Sequence, residues 1–328
     1  MDSDARAYRN TLLISCGLAL AIAIPYSLAQ HIPRSIMTPF LAAALVEIAL
    51  YLAPGFAATR AAFERIDPPS ARALLLTITA VIPYLIYAFG THTFHLRRLG
   101  LLALLASVAA GWFVLQKARF IVDILFLFFM AAVYMTRVFG SIYIPLAPRA
   151  PAEILGHLMW IRMGVFCILS LRKMGGIGFG FLPTRKDWLI GLQQYTLFLP
   201  VGIIAAMLLH FARPSVIIGV WWKEALTAVV TFFGVLWVVA LGEEFLFRGV
   251  LQQALARRLG SQIASLLFAS ALFGLVHLPF RQFPNWKFAG LAALAGLFYG
   301  MAYQRAGSIR ASMVTHALVV TTWRVLFA

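Results

Sequence analysis

The sequence predicts an all-α fold, a polytopic transmembrane helix bundle with about eleven spans. Of its 328 residues 62% are hydrophobic and only 12% charged. The apolar residues fall in runs close to the roughly 20 residues that a membrane-crossing helix needs. The runs are continuous rather than alternating, which excludes barrel strands, and lipid offers the backbone no hydrogen-bond partner outside a helix or a closed barrel.

In chain order, spans are expected near 11–29, 36–53, 73–89, 100–116, 120–136, 155–171, 189–210, 223–242, 262–279, 288–304 and 311–327. The first has features of a signal peptide: Arg6 and Arg9 precede it, Pro25 interrupts it, and Ser27-Leu-Ala29 has the small residues of a cleavage site. An uncleaved first helix is the expectation, since many later spans hold the chain in the membrane. Two polar interruptions, 54–72 and 172–188, punctuate the series. The second is glycine-rich with a basic end and reads as a flexible connection. It divides the chain into N-terminal helices of unassigned role, 1–185, and a C-terminal core, 186–328. No strand precedes it and no Gly-Lys-Ser/Thr ends it, so it is not a phosphate loop.

The formal charge of +16 comes from residues scattered through short loops, never from a tract. It therefore reports topology rather than nucleic-acid binding. Arg6, Arg9, Arg60, Arg65, Arg72, Lys117, Arg119, Arg172, Lys173, Arg185 and Lys186 fall on one side if the N-terminus is cytoplasmic. The expected location is a bacterial-type inner (plasma) membrane, with the bilayer itself as one partner. Cys16 and Cys167 lie inside apolar segments and indicate neither a disulfide framework nor a metal knuckle.

Within the first part the intramembrane ions Glu47, Asp123, Arg137 and Arg162 stand alone in their segments, and such residues usually pair with a neighbouring helix or snorkel. Beyond the glycine-rich segment the pattern changes. Glu243 and Glu244 stand side by side in Val239-Ala-Leu-Gly-Glu-Glu-Phe-Leu-Phe-Arg-Gly249, and paired carboxylates in an apolar run are costly enough to suggest chemistry. On a helix Glu244 and Arg248 share a face and form a ready ion pair, whereas Glu243 turns about 100° away, toward Phe247. The next span carries Phe273-Gly-Leu-Val-His277 and the last one His316. The helix between them places Gly296 and Gly300 four apart among alanines, a face for close packing.

A carboxylate and an imidazole from neighbouring helices can share a water and take its proton as it attacks a carbonyl, and His316 can donate to the oxyanion that results. His-Glu-x-x-His, Gly-x-Gly-Asp and Gly-x-Ser-x-Gly are absent. Zinc held by Glu243, His277 and His316 remains an alternative, because Glu and two His are legitimate ligands.

Glu243-Glu244 with Arg248, then Phe273 with His277, then His316 resemble the motifs of the CAAX protease and bacteriocin-processing family (CPBP, or ABI, family) of glutamic intramembrane endopeptidases. The resemblance covers roughly 216–328. It implies a peptidase that acts on a protein or peptide substrate, with Glu243 and His277 activating water and His316 in the oxyanion hole. Glu244 and Arg248 support that pair, and no metal cofactor is required. The implied substrate is a prenylated tail, a bacteriocin precursor or leader, or a C-terminal sorting tail. One position departs from the family pattern, with Val320 where an Asn normally follows the last His by four residues. Valine donates no hydrogen bond, so Thr315 or Thr321 is the candidate replacement. Val320 also sustains a second reading, a membrane peptide-binding or immunity protein of the same fold without catalysis. A transporter would need coupled charges in both halves, whereas here they cluster after residue 243.

Overall fold

A computed structural model describes residues 3–211 and 221–327. The chain divides into two compact units, Met1–Gly175 and Gly176–Ala328, and among the described residues no strand forms.

The first unit contains α1 (Ser3–Ala29), α2 (Arg34–Leu52), α3 (Ala57–Glu64), α4 (Pro69–Gly90), α5 (Leu96–Leu115), α6 (Phe120–Met135), α7 (Val138–Ile142) and α8 (Glu153–Phe166), the last continuing through a π-helical turn, Cys167–Leu171. Three of the four solitary ions of the sequence, Glu47, Asp123 and Arg162, find partners here, and Arg137 is exposed. Arg162 on α8 donates from Nε and Nη2 to both oxygens of Glu47 on α2, at 3.0 and 3.2 Å, and from Nη1 to the Thr79 hydroxyl at 3.1 Å. Arg172 grips Asp123 in the same forked way, at 2.7 and 3.0 Å. A planar guanidinium matches a carboxylate in two parallel bonds, which is how such charges persist inside apolar surroundings.

The second unit contains α9 (Arg185–Leu208), then one long helix, then α13 (Gln262–Leu275), α14 (Trp286–Ala306) and α15 (Ile309–Leu326). The long helix runs from α10 (Trp221–Gly234) through π-helical Val235–Ala240, α11 (Leu241–Glu244), π-helical Phe245–Gln252 and α12 (Gln253–Leu259). Local chemistry sets the boundaries. The Thr184 hydroxyl accepts from the Asp187 N–H while the Asp187 carboxylate accepts from the Thr184 N–H, a capping box that starts α9. Ser261, Asn285 and Ser308 cap α13, α14 and α15 with their side chains. Gly307, at φ +68°, closes α14 in the left-handed conformation that glycine adopts without strain.

The glycine-rich segment is not loose. The Ile309 N–H donates to the Ile177 carbonyl at 3.2 Å, the Ser308 hydroxyl to the Gly178 carbonyl at 3.0 Å, and the Trp237 indole to the Phe181 carbonyl at 2.9 Å. It straps the start of α15 to the long helix, and Gly178, at φ +65°, passes so close that a Cβ there would lie 2.4 Å from the Ser308 Cα.

Each segment expected to span is centred on a helix. Among the described residues seven helices are long and apolar enough to cross a membrane on their own. The others fall short for physical reasons: α6 and α13 are short, and α14 and α15 carry glycines, hydroxyls, histidine and arginine that lower their apolarity.

Candidate active site

Five helices converge at the residues singled out in the second unit. α14 packs between α13 and α15, α9 lies against both α14 and α15, and the long helix lies against α13 and α15. Phe198, Phe273, Ala292, Ala295 and Tyr299 form the apolar cluster beneath the site.

Glu244 is at the centre and completely buried. One oxygen lies 3.1 Å from Arg248 Nε and the other 2.8 Å from His316 Nδ1. The expected Glu244–Arg248 pair is therefore present, and the same carboxylate also holds His316, which the sequence did not indicate. Arg248 is equally buried, yet none of its guanidinium nitrogens makes a well-directed hydrogen bond among the described residues. Aromatic faces surround it instead: its Cζ is 4.9 Å from the Phe273 ring centre, 5.9 Å from Tyr299 and 6.0 Å from Phe247. Cation–π attraction partly replaces the missing bonds.

Glu243 is different. Its side chain is 30% exposed, and its Oε2 lies 4.0 Å from His277 Nε2 and 3.9 Å from His316 Nε2. These distances are too long for direct hydrogen bonds and suit a bridging water.

His277 follows the end of α13, and its Nδ1 is 2.7 Å from the Phe273 carbonyl. A carbonyl only accepts, so Nδ1 carries the hydrogen. In the neutral ring Nε2 then presents its lone pair toward Glu243. His316 donates from Nδ1 to the Glu244 carboxylate, and its Nε2 faces Glu243 from the other side.

Phe273 supports four neighbours at once, through its carbonyl to His277, its face to Arg248 and its edge contacts with Phe247 and Tyr299. Sequence reasoning missed Tyr299. Its ring stacks on His316 at 4.6 Å and 12°, fixing the imidazole plane through its face while the hydrogen bonds lie in the ring plane. It also undervalued Gly296, where a Cβ would stand 3.3 Å from both Arg248 Nη2 and the Phe273 ring. That glycine makes room for the guanidinium as well as bringing helices together. Its spacing from Gly300 was visible, but not what would fill the space.

Thr315, one of the two candidate replacements for the donor lost at Val320, is engaged elsewhere: its hydroxyl lies 3.1 Å from the carbonyls of Gly191 and Ala311, against α9. Thr321 has a buried hydroxyl without a partner among the described residues. Zinc ligands sit about 2.0–2.2 Å from the metal, which brings donor atoms closer together than the 3.9–4.0 Å found around Glu243. Among the described residues no group of three or more His, Cys, Asp or Glu is placed to hold a metal ion.

The fold and site thus define a membrane helix bundle with a carboxylate set between two imidazoles. Residues 225–322 match the family model described as Rce1-like, type II CAAX prenyl endopeptidase. This agrees with the resemblance to the CAAX protease family carried by residues 243–316, and the match lies wholly within the second unit. No curated protein and no solved structure matches the chain.

Proposed function

We propose that the chain is an intramembrane glutamic endopeptidase that hydrolyses a peptide bond with a water held by Glu243 and His277. The observation that carries this reading is the position of Glu243 Oε2, 4.0 and 3.9 Å from the inward-facing Nε2 atoms of His277 and His316. A water between Glu243 and His277 donates to a carboxylate and a lone-pair nitrogen, so both neighbours pull on its protons. Its oxygen attacks the substrate carbonyl carbon, one proton passes to Glu243, and the C–N bond breaks as that proton is delivered to the leaving amine. General-base assistance of this kind is typically worth about 10²–10⁴-fold.

The carbonyl oxygen becomes an oxyanion facing His316. For His316 to donate there its Nε2 must carry a proton, and with Nδ1 already donating to Glu244 the ring is then an imidazolium. Glu244 supplies the opposing charge, Arg248 holds Glu244 in place, and Tyr299 holds the ring plane. Such preorganised donors stabilise the transition state by about 3 kcal/mol each.

Purified protein in lipid nanodiscs should cleave a peptide substrate, and Glu243→Ala and His277→Ala should each abolish cleavage while remaining folded. Retained cleavage in both variants would sink the assignment. Chelator treatment decides the metal question: loss of activity that zinc restores would overturn the metal-free reaction. Val320 favours a second reading, peptide binding without hydrolysis, which predicts substrate retention by wild type with no product.

A further inference from the structure

α13 ends at Leu275 and α14 begins at Trp286, and the turn between them is built in an unusual way. Phe283 is 76% exposed, Trp286 64% and Phe280 42%. Three large aromatic side chains within seven residues point away from the protein. They are held there rather than left free. The Asn285 N–H donates to the Leu278 carbonyl at 2.8 Å, its side-chain amide donates to the Phe280 carbonyl at 3.0 Å, and its side-chain oxygen accepts from the Phe288 N–H at 3.0 Å. The Phe280 ring packs on Phe288 at 4.2 Å, and Phe288 lies 5.4 Å from the His277 ring. The turn is therefore rigidly coupled to the site.

Its charges are one-sided. Arg281 and Lys287 are exposed, neither has an ion-pair partner among the described residues, and 278–287 contains no acidic residue. Arg281 lies over Phe280, 5.4 Å from the ring centre. The other end of α14, about 31 Å away for a helix of this length, is built differently. There Arg310 pairs with Asp187 at 3.1 Å, and Lys186 donates to the Ala306 carbonyl at 3.1 Å. Arg310 and Lys186 at that end are answered by the protein, whereas Arg281 and Lys287 at the 278–287 turn are not.

Exposed aromatic rings beside unanswered cations at the end of an apolar helix match the chemistry of the bilayer interface, where rings occupy the acyl boundary and cations meet phosphate. We propose that the 278–287 turn is an anionic-lipid headgroup site. Arg281 and Lys287 contact the phosphate, and Phe283 and Trp286 seat below it. An acidic protein patch would satisfy the cations but leave the rings without an apolar layer, so lipid is the better occupant. Since His277 directly precedes the turn, lipid engagement sets the depth of His277 and Glu243 at headgroup level. This last consequence rests on the proposed peptidase site, whereas the lipid contact does not.

The test is fluorescence quenching in nanodiscs containing brominated phosphatidylglycerol or, at equal mole fraction, brominated phosphatidylcholine. The Trp286 signal is taken as the difference between the protein and Trp286→Phe. Each cation near an anionic surface is worth about a fivefold preference, so the glycerol lipid should quench that signal several-fold more strongly. Arg281→Gln/Lys287→Gln should equalise the two lipids while leaving helicity and quenching of the other tryptophans unchanged. Equal quenching in the unaltered protein, or none with either lipid, would overturn the proposal. Glu243→Ala should retain the preference, so a failed lipid contact and a failed peptidase assignment are read separately.

Discussion

Two buried glutamate–arginine pairs, Glu47–Arg162 in the first unit and Glu244–Arg248 in the second, use the same chemistry to different ends. The first is complete. The guanidinium of Arg162 makes two bonds to the carboxylate, and Thr79 takes a further one through its hydroxyl. The second is left open: Arg248 touches Glu244 through one nitrogen and otherwise meets aromatic faces, and Glu244 turns its other oxygen to His316. A pair that satisfies itself holds helices together, whereas a pair that passes its charge on to a third group equips a site. Helical spacing shows that Glu244 and Arg248 can pair, but it does not say which of the two pairs is closed and which is left open. The count of hydrogen bonds does.

The largest effect that sharpens this contrast is expected at Glu243, which neither pair contains. Glu243→Gln should lower kcat by about 10²–10⁴-fold with an unchanged unfolding midpoint, read by peptide cleavage and by thermal unfolding in detergent. The pairs themselves come next. Arg162→Met strands a buried carboxylate and should cost about 3–5 kcal/mol of stability, with kcat per folded molecule unchanged. Replacing both partners, Glu47→Leu/Arg162→Met, should recover most of that loss. The matching double replacement Glu244→Leu/Arg248→Met should recover stability in the same way yet stay inactive, because His316 has lost its counter-charge. If it cleaved normally, the distinction between the pairs would collapse.

Tyr299→Leu should lower kcat by about fivefold with little change in KM, if its stacking is worth roughly 1 kcal/mol to the orientation of His316. Val320→Asn should raise kcat within the same range by returning a donor to the face of α15 that carries His316. The smallest effect is that of Gly296→Ala, whose added methyl presses on Arg248 and Phe273 and should destabilise by about 1 kcal/mol.

Much of this was legible in the sequence because it depended on periodicity along one chain. Helix-forming apolar runs and the i, i+4 relation of Glu244 to Arg248 are local facts. Glu243, His277 and His316 could be nominated for the same reason, as polar residues whose cost in apolar helices demands an explanation. The contacts between helices were out of reach. Nothing in the spacing says that Tyr299 lies flat on His316, that Thr315 turns to α9, or that the glycine-rich segment is bonded to α15. Nor could it say that Arg162 reaches back to Glu47, 115 positions earlier. Tyr299 left one faint trace, a tyrosine three residues past Gly296 in a helix otherwise dominated by small and aliphatic side chains.

The π-helical stretch Phe245–Gln252 has a consequence for how this motif can change over evolutionary time. A π turn holds an extra residue within an otherwise continuous helix, so it records an insertion the bundle has absorbed. Deleting one residue there would tighten the turn and rotate the rest of the helix, α12 included, by about 100° relative to Glu243 and Glu244. The helix would survive, but the Gln252 amide would no longer face the Gly300 carbonyl, which it approaches at 3.4 Å, and Ile177 of the glycine-rich segment would lose its seat against Gly249. The motif's spacing is thus elastic on its C-terminal side and rigid across the glutamates themselves, so a length variant in this segment would leave a folded protein with a misregistered wall.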